Sequence, residues 1–344
     1  MKESNAYASI AYFLTRSSFV GMSFHILITY AKQDAWISVL LSYIIGILFI
    51  CLINNIMKYQ NDKSFRDTCI SLFPKTYPLI IGVLVLGIFF ITVINFGNLG
   101  NLVASQFLNK TPLIIIWITF LIPIIYIISK KKIIIARVSL ILFYFSIILF
   151  IISTLGSFSQ IELLNFKPLL QNSIVPSSFT YFGLNIGPLF LITLFPHKEF
   201  NKSIWKGYLL SAISLLVITM TIIGTLGYNL SSLYHYPEIH ILKNTYQGIL
   251  NYQLENFLAI QWIFDIFIFC SVGIKWCNEM LTIKEEKKAF ILPLLLIMFA
   301  FIFFNNLNNS FLPFISNIYF IFFLSISFIF VAKILIKKAI KKIA

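Results

Sequence analysis

Long apolar runs alternate with short polar joints along the whole chain. A helix needs about 20 apolar residues to cross a bilayer. Ten runs approach that length, near 8–30, 34–57, 77–106, 112–129, 134–156, 177–196, 205–228, 254–277, 288–305 and 311–335. The pattern predicts an all-α polytopic membrane protein, a single transmembrane domain over 1–344 with ten transmembrane helices. No small-residue cleavage site follows the first run, so that run is expected to be retained.

Polar residues inside the runs carry the next layer of information. The sixth run holds Ser177, Ser178, Thr180, Gly183, Asn185 and Gly187, with Pro188 directly after. The glycines weaken a helix there and the proline removes a backbone donor. Two readings stand side by side: a broken helix whose freed backbone faces a cavity, or a kinked helix using Gly183 and Gly187 for close packing. The first run has a comparable polar centre: Thr15, Arg16, Ser17, Ser18, Gly21 and Ser23. The two runs are five apart, which fits inverted five-helix repeats over about 8–156 and 177–336 whose broken first helices flank a site. The third run adds Asn95, Asn98 and Asn101 in a Gly/Asn-rich stretch, the first two deeper than the last.

Charge at depth is costly and marks candidate functional positions. Arg16 and Asp265 qualify. At 1.5 Å per residue they stand roughly 12 and 18 Å from the inner side, within reach of each other if their helices touch. A buried Arg16–Asp265 ion pair is expected, either as a structural clamp or as part of a ligand site.

Composition sharpens this picture. The chain is 59% hydrophobic and only 11% charged, well below the roughly 25% charged residues of soluble domains. The net charge of +14 does not imply nucleic acid, because its distribution follows topology. With both termini inside, 21 of the 26 Lys and Arg fall on inner segments and four on outer ones, as the positive-inside rule requires. Cys51, Cys69, Cys270 and Cys277 lack metal or disulfide spacing. His235 and His240 flank Glu238 across a proline, a poor metal arrangement, so no metal and no cofactor are expected. No run carries a nucleophile–base set, so no enzyme is expected either. The outer stretch 229–253 has helical apolar spacing at Ile239, Leu242, Tyr246 and Ile249 or Leu250; it reads as a lid over the outer mouth or as a subunit interface.

The run Gln33-Asp34-Ala35-Trp36-Ile37-Ser38 resembles the signature of spore germination receptor B subunits, the GerAB-like family of the amino acid/polyamine permease superfamily. The ten-run pattern, the segment ending Leu169-Leu170-Gln171-Asn172 and the Pro196-His197-Lys198 turn extend that resemblance over almost the whole chain. Lys32 stands where the family usually has a small residue, and no proline follows the first-run break. The resemblance implies a leucine-transporter-like arrangement with broken first and sixth helices. It implies nutrient sensing in the spore inner membrane, often of amino acids, with a membrane A subunit and a lipoprotein C subunit as partners.

Two functions follow as expectations: a germinant-sensing receptor subunit, or an autonomous secondary amino-acid permease on the same fold. In either, an α-amino acid would sit at the midplane between the first, third, sixth and eighth runs. Ser18, Phe19, Gly21, Met22, Asn95, Asn98, Tyr181, Gly183, Leu184 and Asn185 are the candidate ligand-binding residues. Helix N-terminal N–H groups near Leu184 to Gly187 would receive a carboxylate.

Overall fold

The computed structural model describes residues 3–18, 23–61, 63–155, 157–195, 201–244, 254–283, 291–306 and 312–343. Among these, every regular element is helical. In chain order they are α1 (Glu3–Leu14), α2 (Phe24–Ala31), α3 (Ala35–Gln60), α4 (Phe65–Leu72), α5 (Tyr77–Gln106), α6 (Leu113–Ile128) and α7 (Lys132–Leu155). Then come α8 (Ile174–Tyr181), α9 (Asn201–Leu233), α10 (Pro237–Asn244), α11 (Leu254–Met280), α12 (Ile291–Asn306) and α13 (Leu312–Ile343).

Among the described residues, seven stretches are long and apolar enough to cross a membrane, at 24–60, 77–106, 132–154, 174–194, 203–233, 255–280 and 313–340. The shorter apolar helices 113–128 and 291–302 accompany them. The first of the seven, 24–60, is itself divided at the Lys32–Asp34 3₁₀ turn. Helix α4 is of another kind. Its N-cap Ser64 accepts the Asp67 N–H, and it buries Phe65, Thr68, Cys69 and Leu72 while the rest faces outward.

Burial sorts the helices into centre and rim. In 174–194, 94% of the most apolar window is buried inside the protein, against 28% in 132–154 and 313–340. The sixth run is therefore central, and α7 and α13 present Ile148, Ile151, Ile321 and Phe328 outward to the lipid. Helix α1 is central too, packing on α9, α7 and α11, while α3 packs on α8 and α13, and α5 on α11 and α12.

Both central runs depart from α-geometry. In the first, α1 ends at Leu14, a turn covers Thr15–Ser18, and α2 resumes at Phe24. In the sixth, α8 passes at Phe182 into a π-turn through Ile186 and then a 3₁₀ helix over Gly187–Leu194. The sixth run thus changes pitch rather than unwinding. Pro188, without an N–H, cannot satisfy the carbonyl one turn before it, and π-turns of this kind cluster at functional sites. Gly183 serves the helix packing: a Cβ there would collide with the backbone carbonyl of Ser316 on α13.

Candidate functional site

The Thr15–Ser18 turn is the hub of a buried polar network. Arg16 is 1% exposed, and its Nε donates to Asp265 Oδ2 at 3.2 Å. Its Nη1 donates to Ser214 Oγ at 2.5 Å. The guanidinium lies 4.8 Å from the Tyr12 ring centre and 6.0 Å from that of Phe150. Thr15 Oγ1 bonds Ser211 Oγ at 2.6 Å, and Ser211 meets the Tyr43 hydroxyl at 3.2 Å. Charge in so dry a place persists only when paired and hydrogen-bonded, and helices α1, α3, α9 and α11 each supply part of that shell.

On the other side of the turn, Ser18 Oγ donates to Asn95 Oδ1 at 2.8 Å. Asn95 Nδ2 donates back to the Ile91 carbonyl of its own helix, which orients the amide. Asn98, one turn further along α5, is 5% exposed. In the sixth run Asn185 is fully buried and donates to Tyr181 O at 3.4 Å, while its Oδ1 has no protein partner. Tyr181 turns its ring toward Tyr43 of α3, and Leu184 is buried. Phe19, Gly21 and Met22 lie outside the described residues, as does the Pro196-His197-Lys198 turn.

The start of the first run and the end of the sixth are packed together. Tyr7 meets the Phe195 ring at 5.6 Å. Lys132 Nζ caps the Leu194 carbonyl at 2.8 Å, and Trp276 Nε1 donates to Thr193 Oγ1 at 3.0 Å. A cation on the last carbonyls of a helix is the favourable orientation of its dipole.

At the opposite end of the bundle, the loop over 157–172 acts as a strap. Asp34, fully buried, accepts the backbone N–H of Leu170 at 2.9 Å, that of Gln171 at 3.1 Å and the Asn172 side-chain amide at 3.0 Å. Gln33 Nε2 donates to Pro168 O at 2.6 Å. The other end of the strap meets a bend in α9. Gly227 has φ 66°, which interrupts the helix, and the Gly224 carbonyl accepts from Glu162 N at 2.9 Å and Asn165 Nδ2 at 2.7 Å instead. Lys32 places Nζ 5.6 Å from the Tyr228 ring centre, just past the bend. The strap therefore ties the α2–α3 joint to α9.

Spacing along the chain does not disclose the strap, because its partners are some 136 residues apart; the Gln33-Asp34 signature and the Leu169–Asn172 segment turn out to be one contact. Ser211, Ser214 and Gln261 belong to the polar interior too. Gln261 is fully buried one helical turn from Asp265, and that i, i+4 polar pair in an apolar run is the local signal for it. The outer stretch is shorter as a separate element than its apolar rhythm predicts: 229–233 continues α9 beyond the bend, and α10 buries Ile239 and Leu242. Tyr246, Ile249 and Leu250 lie outside the described residues. Among the described residues, no three His, Cys, Asp or Glu side chains gather in a way that could hold a metal ion.

A bundle with a divided first run, a pitch change in the sixth and a buried polar hub between them defines a transporter-like membrane protein. The same class appears among solved structures: two mutant forms of a manganese transporter from Eremococcus coleocola superpose with a TM-score of 0.53 over 95% of this chain and 78% of theirs, at 11% identity. That likeness is one of fold. The chain belongs to the spore germination protein (spore permease) family, whose model matches residues 8–310. It is 28% identical over 254 residues to Bacillus subtilis (strain 168) YfkT, a protein named for spore germination, covering 71% of this chain and 69% of that one. It is 25% identical over 248 residues to Spore germination protein A2 of the same organism, covering 68% and 67%.

Proposed function

We propose that this chain is the germinant-sensing membrane subunit of a spore germination receptor, binding a small amino-acid-like ligand at mid-depth. The observation that carries the reading is Asn185. Its buried Oδ1 lacks a protein partner at the π-turn of the most enclosed crossing, and a buried polar atom of this kind calls for a ligand or water. Ser18 and Asn95, joined across the first-run turn, supply a second polar face. Tyr181 and Asn98 complete the proposed set. Gly183 is left out of it, because its open side is filled by Ser316 of α13.

In this reading both termini face the cytoplasm and the protein resides in the spore inner membrane. An A subunit and a lipoprotein C subunit are its partners. Family membership and the homologues named for germination support it. The transporter-like fold equally supports the second reading, an autonomous amino-acid permease, since fold alone does not separate sensing from transport.

The test uses the full chain in proteoliposomes with a panel of α-amino acids. Saturable binding without concentrative uptake is expected, weakened about tenfold or more by Asn185→Leu, the equivalent of about 1.4 kcal/mol. Concentrative uptake by the chain alone would establish the permease. Binding unchanged in Asn185→Leu would remove the proposed site.

A further inference from the structure

Three helices carry polar or cleft-lining residues down one face each toward Arg16. On α7 and just beyond it these are Ser157, Ser153, Phe150 and Ser146; on α9, Thr221, Ile218 and Ser214; on α11, Leu258, Gln261 and Asp265. Every step is three or four residues, so each set lies on a single helix face. The outer members, Ser153, Ser157, Ile218, Thr221 and Leu258, line a small open cleft together with Glu238 of α10. The inner members reach the ion pair: Ser214 and Asp265 bond Arg16, and the Phe150 ring lies beneath it.

Between cleft and pair stand buried atoms that the protein does not satisfy. Both amide atoms of Gln261 lack a protein partner, as do Asp265 Oδ1 and Arg16 Nη2. Donors and acceptors are mixed, and Arg16 repels a metal cation. This chemistry suits water and the proton, since water both donates and accepts and fills such sites when two or more polar partners are present.

We propose that Asp265 is a proton-binding site reached from the outer cleft along this path, and that its protonation state controls the hold on the first-run turn. A proton from outer water forms the O–H bond on Asp265 Oδ1. The charge-assisted Arg16 Nε–H···Oδ2 contact then becomes a bond to a neutral acid, and a buried guanidinium loses its counter-charge. Arg16 directly precedes Ser17 and Ser18, so the turn that holds Asn95 is released with it.

The groups facing Asp265 are few. From the turn after α1 there is Arg16, and from α1 itself Tyr12; Ser214 of α9 and Phe150 of α7 sit on the far side of Arg16, and Ser146 of α7 beside Tyr12. Tyr43 of α3 stands beyond the Thr15–Ser211 contact, and Glu238 lies at the outer mouth. No germinant is needed for this proton site, so it stands or falls separately from the ligand reading.

The test is infrared difference spectroscopy on the full chain in liposomes while the pH is stepped. The expected signal is a protonated-carboxyl stretch from a dry environment that titrates and disappears in Asp265→Asn. Gln261→Leu, which removes the polar link to the cleft, should slow its appearance after a pH jump at least severalfold. If Asp265→Asn fails to insert, carboxyl-labelled aspartate in an Asp34→Asn chain, which removes the other buried aspartate, identifies the band by its isotope shift. A titrating band that persists in Asp265→Asn, an unshifted band on labelling, or no titrating band at all would overturn the proposal. A band that appears equally fast in Gln261→Leu would overturn the path.

Discussion

The Asp34 carboxylate accepts the backbone N–H of Leu170 at 2.9 Å, across 136 residues of chain, and Leu170 adopts φ 61° to make that contact. A non-glycine residue in the left-handed region is uncommon and held by its surroundings. Here the holder is the carboxylate, which also receives Gln171 and Asn172.

Asp34→Ala should therefore release the strap. Hydrogen bonds to a charged group contribute about 1.5–3 kcal/mol each and are not additive, so a loss of about 3 kcal/mol is expected. Asp34→Asn keeps an acceptor and should cost less. Thermal unfolding in detergent gives the stability order, and hydrogen exchange should report faster exchange at 170–172 in Asp34→Ala. Unchanged protection there would show that the strap holds itself.

Gly183 and Asn185 allow packing to be separated from the proposed binding. Gly183→Ala pushes a Cβ into a backbone carbonyl that cannot swing aside, and overpacking of this kind costs typically about 1–3 kcal/mol. Its melting temperature should fall while the folded fraction binds ligand with unchanged affinity. Asn185→Leu should do the reverse, losing ligand with little loss of stability. A Gly183→Ala protein of native stability would contradict the close approach of the sixth and tenth runs.

That contrast marks what local sequence can and cannot reveal. The apolar runs are plain because the bilayer demands them, and Arg16 and Asp265 stand out because charge at depth is rare. The polar set in the first run coincides with a real interruption at Thr15–Ser18. But the residues around Gly183 do not say whether its bare Cα meets a cavity or another helix; Ser316, some 130 positions away, decides it. Run ends were harder still. Apolarity fades near 228, yet α9 bends at Gly227 and continues to Leu233, because Glu162 and Asn165 satisfy the carbonyl that the bend exposes.

The Arg16–Asp265 pair predicts a charge-swap pattern. Arg16→Asp alone leaves two buried carboxylates facing each other, and breaking a buried pair costs about 3–5 kcal/mol. Assembly in the membrane should fall sharply. Adding Asp265→Arg should restore part of it, because the Ser214 hydroxyl can turn from accepting to donating. Folded yield by size-exclusion of the four proteins completes the cycle. A double variant no better than the worse single one would argue that the two groups do not act on each other.

The outer helix α10 should loosen in acid. His240 stacks on Tyr234 with ring centres 3.8 Å apart, and partial burial, then the nearby Lys243, hold its pKa below the ordinary 6.5. A base whose pKa is lower in the folded state binds more protons when unfolded, so its contribution is present above the unfolded value. That contribution is lost as pH falls through about 6.5 toward the depressed folded value. Exchange at 237–244 should accelerate over that window in the native chain, and His240→Gln, which cannot charge, should flatten the response. Equal pH dependence in His240→Gln would show that His240 is not the group whose protonation loosens α10.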